Sequence, residues 1–204
     1  MIFAKKKLES KKQKKTYLIY FACLGLAYIM LQISLIQKFT LFLGQPVYTL
    51  LTVVSSMLIF SGIGSRFSQN IVKNSRLRLH LIFILIALFS SLIGILNPII
   101  FSGFLSSGLI YRIVISVLII APLGFLMGMP FPVGMSFIDD SEKHYTAFAW
   151  AVNGFFSVIG SVLAMIFAMM LGFRFVFLLG AVIYLIAMIF ISLKYLQNKL
   201  NTNS

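Results

Sequence analysis

The chain has 204 residues, 60% of them hydrophobic and only 10% charged, and its mean hydropathy of +1.04 lies far from the soluble globular average. The formal charge of +13 would suit a nucleic-acid binder, but seven of the seventeen Lys and Arg residues precede Thr16 and most others flank apolar runs. That is the positive-inside distribution of a polytopic membrane protein, and no nucleic-acid partner is expected.

Residues 1–15 carry Lys5, Lys6, Lys7, Lys11, Lys12, Lys14 and Lys15 against one acid, Glu9. With little to bury, they read as a basic cytosolic tail, mobile or a frayed helix. The lysines serve either as a topology signal or as a contact to anionic headgroups, worth about 1 kcal/mol per basic residue near the surface. A signal peptide has a similar outline, but no small-x-small cleavage site follows and further spans do, so the first span is expected to be retained.

Six apolar runs follow, each about the 20 residues needed to cross roughly 30 Å of hydrocarbon. They are Thr16–Ile36, Pro46–Gly64, Leu79–Leu96, Ile113–Met129, Thr146–Leu171 and Phe173–Leu193. The expected fold class is all-α, a polytopic bundle of six transmembrane helices, forming one domain at residues 16–195 with a short cytosolic segment at 196–204. Fourteen basic residues fall on the side of the termini and three, Lys38, Arg112 and Arg174, on the other. Both termini are therefore expected in the cytosol.

In the first span the lone cysteine, Cys23, sits in an apolar run, which leaves no disulfide framework and no cysteine metal cluster. Gln32 lies deep enough that facing lipid would be costly, so it should point inward, either bridging helices or lining a substrate path. Gly44-Gln45-Pro46 turns the chain into the second span, with proline at a tolerated first-turn position. Gln45 is a second candidate for substrate contact. The second span ends in Ser61-Gly62-Ile63-Gly64-Ser65, a poor nucleotide-binding loop: Phe67 stands where a third glycine is needed and the next acid is Asp139. A close helix contact is the expectation there.

The fourth span runs into Gly128-Met129-Pro130-Phe131-Pro132-Val133-Gly134. Pro130 and Pro132 lack a backbone N–H and favour extended geometry at Met129 and Phe131, so the helix is expected to end there and release carbonyls. Lipid cannot satisfy them, which places the break inside the bundle or at its cytosolic mouth. Gly128 allows close backbone approach. In the fifth span Gly154 and the small-residue face of Ser157, Gly160, Ser161, Ala164 and Ala168 are expected to permit tight packing against the break. Trp150 suits an interfacial anchor. Asn153, one turn on, either satisfies the released carbonyls or binds a ligand amine or hydroxyl. The four acids lie outside the spans, and His80 and His144 at their edges. That pattern excludes a buried proton relay, a nucleophile–base pair and a metal-ligand cluster, and no cofactor is expected.

Residues Phe21–Tyr48, with Ser61–Ser65, Gly128–Gly134 and Trp150-Ala151-Val152-Asn153-Gly154, carry a resemblance in order and spacing over nearly the whole chain after Thr16. They resemble the C-terminal membrane domain of bacterial spermidine-synthase-like integral membrane proteins, in which a cytosolic domain related to polyamine aminopropyltransferases is joined to membrane helices. Where that family often has an acid and a histidine, this chain has Gln32 and Gln45. No strand, glycine loop and helix of an adenosyl-ligand domain precede the spans. The resemblance therefore implies a bacterial inner-membrane protein that is non-catalytic alone, an anchor or partner subunit for a cytosolic aminopropyltransferase-like domain. The alternative is a half-size facilitator-like transporter of a small organic solute, acting as a homodimer. A purely structural membrane subunit is a third reading.

Overall fold

The structure, a computed structural model, describes the backbone of residues 2–72, 76–136 and 143–202, and the side chains of 15–68, 78–96, 99–136 and 145–192. Asp139, Asp140 and Glu142, and the side chains of His144, of the lysines before Lys15 and of Asn97 and Pro98, lie outside the described residues. The helices are α1 (Ile2–Leu43), α2 (Pro46–Val72), α3 (Arg76–Phe104), α4 (Leu109–Met127), α5 (Pro130–Met135), α6 (Lys143–Leu171) and α7 (Phe173–Thr202). Among the described residues six stretches are long and apolar enough to cross a membrane: Lys15–Leu43, Pro46–Ser68, Arg78–Leu96, Leu109–Met135, Tyr145–Leu171 and Phe173–Ser192. The chain is thus an all-α integral membrane protein with several spans.

The basic tail is a helical continuation of the first span. No glycine or proline occurs before Gly25, and lysine, glutamine, glutamate and leucine all support a helix.

Helix α1 is the axis of the bundle. Half of its apolar window (50%) is buried, against 17% for α6, and it packs on α2, α6 and α7. Tyr20, Phe21, Leu24, Ala27, Met30, Leu31, Leu35, Phe39 and Phe42 are all buried, on a face that covers about half of the helix circumference.

The end opposite the termini is closed by turns and rings. Gly44 (φ +82°) and Gly172 (φ +83°) hold the left-handed conformation that stops α1 and α6. The Phe42 and Phe101 rings stack at 4.3 Å, and Arg112 donates from Nη1 to the Phe42 carbonyl at 3.0 Å. A cation is favourable there, because the last carbonyls of a helix carry partial negative charge.

Candidate functional site

At the end of the bundle that carries the termini, α4 gives way to α5 across Gly128 and Met129. Both residues are right-handed helical, Gly128 at φ −73°, ψ −17° and Met129 at φ −83°, ψ −40°. The extended geometry expected at Met129 and Phe131 is not adopted, and the span does not stop. Pro130 begins a new turn of helix, where its missing N–H is not needed. The Leu126 carbonyl, released by Pro130, is taken by Met129 N–H at 3.2 Å, and Val133 N–H bonds to the Met129 carbonyl at 3.3 Å. A three-residue step followed by a four-residue one lets the helix kink rather than end.

The polar neighbour of the break is Tyr20 on α1, and not Asn153. The buried Tyr20 hydroxyl donates to the Pro130 carbonyl at 2.6 Å, as a phenol does when taken from water. Gly134 leaves room for the Tyr20 ring, which a Cβ there would meet. Asn153 instead donates from Nδ2 to the Phe21 carbonyl at 3.2 Å. Ser157, one turn further along α6, has its hydroxyl 2.8 Å from the Asn153 carbonyl of its own helix and 3.2 Å from the Gly25 carbonyl of α1, its one proton shared between them. These two bonds and Gly25 bring α6 against α1, since a Cβ at Gly25 would fall on the Asn153 carbonyl.

A cavity of about 490 Å³ lies beside the break, within the usual size of small-molecule sites. Its back is Leu24 and Tyr28 of α1 with Tyr184 of α7, one side is Leu58, Ser61, Gly62 and Ser65 of α2, and the other is Trp150, Asn153 and Ser157 of α6. Pro130, Phe131 and Pro132 cover one end. The Phe131 and Trp150 rings are 4.6 Å apart, tilted at 57°. Helices α2 and α6 share no extended interface, so the cavity is a groove open between them. No acidic or basic side chain lines it among the described residues. Its polar groups are neutral hydroxyls and one amide, and Ser61 bonds to the Leu58 carbonyl of its own helix at 3.3 Å. Such a lining can bind and orient an uncharged molecule.

Of the residues singled out in the sequence, Gly128, Pro130, Pro132 and Asn153 meet at this groove. Gly128 lies close against α2, where a Cβ would fall on the Ser61 carbonyl. The Ser61–Ser65 stretch is accordingly a helix contact, with Gly64 against the Phe125 carbonyl. Gly160 is buried against Ile29 and Leu26 of α1. Gly154 is a correction: it is exposed, and a Cβ there would meet nothing within 4 Å. The α6 face that touches α1 is the Asn153, Ser157, Gly160 and Ala164 face, and Gly154 points away from it.

Gln32 and Gln45 do not reach the groove. Gln32 is half-buried and makes no hydrogen bond among the described residues, so the bridge between helices is not formed. Gln45 lies exposed in the turn, where its carbonyl accepts from Thr49 N–H at 3.2 Å and Thr49 Oγ1 at 3.0 Å. The sequence reading missed Tyr20, Tyr28 and Tyr184. Three tyrosines inside apolar spans were a usable signal, since each buried phenol needs a partner or a cavity.

No protein-family model, curated protein or solved structure matches the chain. Fold and groove together define an integral membrane protein with several spans and a neutral, laterally open site.

Proposed function

We propose that the protein is a non-catalytic membrane subunit, holding a cytosolic partner at the bilayer. The observation that carries this reading is the shape of α1. The most buried helix of the bundle continues for residues 2–14 beyond its span, about 20 Å of helix at 1.5 Å per residue, and that extension holds six of the chain's lysines. A basic helix continuous with the bundle axis suits a rigid handle for an acidic or enzyme-like partner. The resemblance of Phe21–Tyr48 and Gly128–Gly134 suggests the partner's class, an aminopropyltransferase-like domain. The excess of basic residues near the termini supports a cytosolic position for both.

Affinity capture of the tagged protein from its native membrane tests the reading. An identified aminopropyltransferase-like protein should be recovered, and lost when Lys5, Lys6, Lys7, Lys11 and Lys12 are all changed to glutamine. Solute uptake by the protein alone in vesicles, with no partner recovered, would select the half-size transporter instead. For the orientation, a Ser204→Cys probe in a Cys23→Ser background should be labelled only from the cytosolic face.

A further inference from the structure

We propose that the groove between α2 and α6 binds a neutral, single-headed amphiphile taken laterally from the bilayer. Its hydroxyl or carbonyl head would sit at Tyr184, Tyr28 and Asn153, and its apolar body along Leu58, Phe131 and Trp150. The proposal does not rest on the subunit reading.

The mouth of the groove faces lipid. Leu58 of α2 and Trp150 of α6, 62% and 61% exposed, stand on its two sides, and Gly62, one turn from Leu58, adds no side chain to the lining. A molecule dissolved in the hydrocarbon can enter there without crossing a polar barrier. Charge excludes ionic heads, because the described lining has no acid or base to pair with one, and a desolvated ion without a counter-charge is strongly disfavoured.

The inner end asks for a hydrogen bond. Tyr184 is 1% exposed and lines the groove, yet its hydroxyl forms no hydrogen bond among the described residues. Tyr20, the other fully buried tyrosine nearby, is already committed to the Pro130 carbonyl. Arg112 Nε is the fully buried side-chain polar atom without a partner among the described residues, so the Tyr184 hydroxyl opens on the groove, where a ligand oxygen can bond to it. Asn153 uses Nδ2 on the Phe21 carbonyl, which leaves Oδ1 as an acceptor for a ligand hydroxyl. A volume of about 490 Å³ suits one alkyl chain and a small head.

The chain has one tryptophan, and Trp150 stands at the groove, so its fluorescence reports occupancy. The full chain in phosphatidylcholine nanodiscs is titrated with dibromostearyl alcohol, whose bromines quench tryptophan, and in parallel with dibromostearic acid at a pH where its carboxyl is ionised. Saturable quenching by the alcohol is expected, with the acid binding about tenfold more weakly or less. Gly62→Phe should abolish saturation while the Tm holds, since a Cβ at Gly62 meets nothing within 4 Å and the ring fills the mouth. Tyr184→Phe should weaken the alcohol about tenfold, the effect of one lost hydrogen bond.

Quenching that rises linearly and alike in the wild type and Gly62→Phe is bulk partitioning and overturns the proposal. So does equal binding of alcohol and ionised acid. A wild-type dimer that Gly62→Phe dissociates, without saturable quenching, also overturns it and assigns the groove to a helix of a second copy.

Discussion

The two walls of the groove are built from glycine in different ways. Where α2 meets α4, backbone lies on backbone: Gly64 faces the Phe125 carbonyl, Gly128 the Ser61 carbonyl, and Gly124 the Phe60 and Met57 side chains. No side-chain hydrogen bond crosses that contact among the described residues. Where α1 meets α6, Gly25 faces the Asn153 carbonyl and Gly160 faces Leu26 and Ile29, but Asn153 and Ser157 also bond to the α1 carbonyls of Phe21 and Gly25. The first wall is held by close packing alone. The second adds directional bonds, which fix how α6 is rotated about its own axis and so which residues it presents to the groove.

The largest expected effect is on the wall with no polar reserve. Gly64→Ala puts a Cβ onto the Phe125 carbonyl, and neither backbone can yield without parting α2 from α4. A loss of about 3 kcal/mol or more is expected, at the upper end of overpacking costs, read as a fall in Tm in mild detergent. Gly25→Ala should cost less although its Cβ also meets a carbonyl, because α6 is the least buried span (17%) and can move outward. A larger fall for Gly25→Ala than for Gly64→Ala would invert the ranking of the two walls.

Tyr20→Phe comes next. It leaves the ring in place and removes only the hydroxyl donated to the Pro130 carbonyl at 2.6 Å, so about 1–3 kcal/mol is expected for stripping a buried bond. An unchanged Tm would show that the kink satisfies itself. The cross-helix bonds of α6 are smaller. Asn153→Ala and Ser157→Ala should each cost about 0.6 kcal/mol, the average for such bonds between membrane helices. If either matched Gly64→Ala, the polar bonds rather than the close packing would be holding the bundle.

The spans were legible because hydropathy over about 20 residues is a local property. All six runs reappear as apolar helices with shifted ends. The importance of the Gly128–Pro132 stretch was legible too, since proline and glycine act on their own backbone. Its geometry was not: whether a proline ends or kinks a helix depends on what takes the carbonyls, and Tyr20 lies 110 residues away in the chain. Gln32 was misjudged for the same reason, because its depth is visible in sequence whereas the presence of a partner on a facing helix is not. The Gly154 error was avoidable. At 3.6 residues per turn, Asn153, Ser157, Gly160, Ala164 and Ala168 fall within about 80° of one another, while Gly154 lies about 120° round from Gly160.

Gly154 therefore supplies the smallest expected effect and the sharpest check on the rotation of α6. Gly154→Leu places its side chain in open space, toward lipid, and replaces the weakest ordinary helix former by a strong one, a gain of up to about 1 kcal/mol in water and less where the bilayer already enforces the helix. The Tm should hold or rise slightly. The same change at Gly172 also meets no atom within 4 Å, but there φ is +83°, and a side chain in the left-handed region costs roughly 1–2 kcal/mol. Gly172→Leu should thus lower the Tm while Gly154→Leu does not, although both glycines have the same free space around them. Were Gly154→Leu the more damaging, α6 would have to be turned so that Gly154 meets α1 or the break, and the bonds from Asn153 and Ser157 to α1 could not both form.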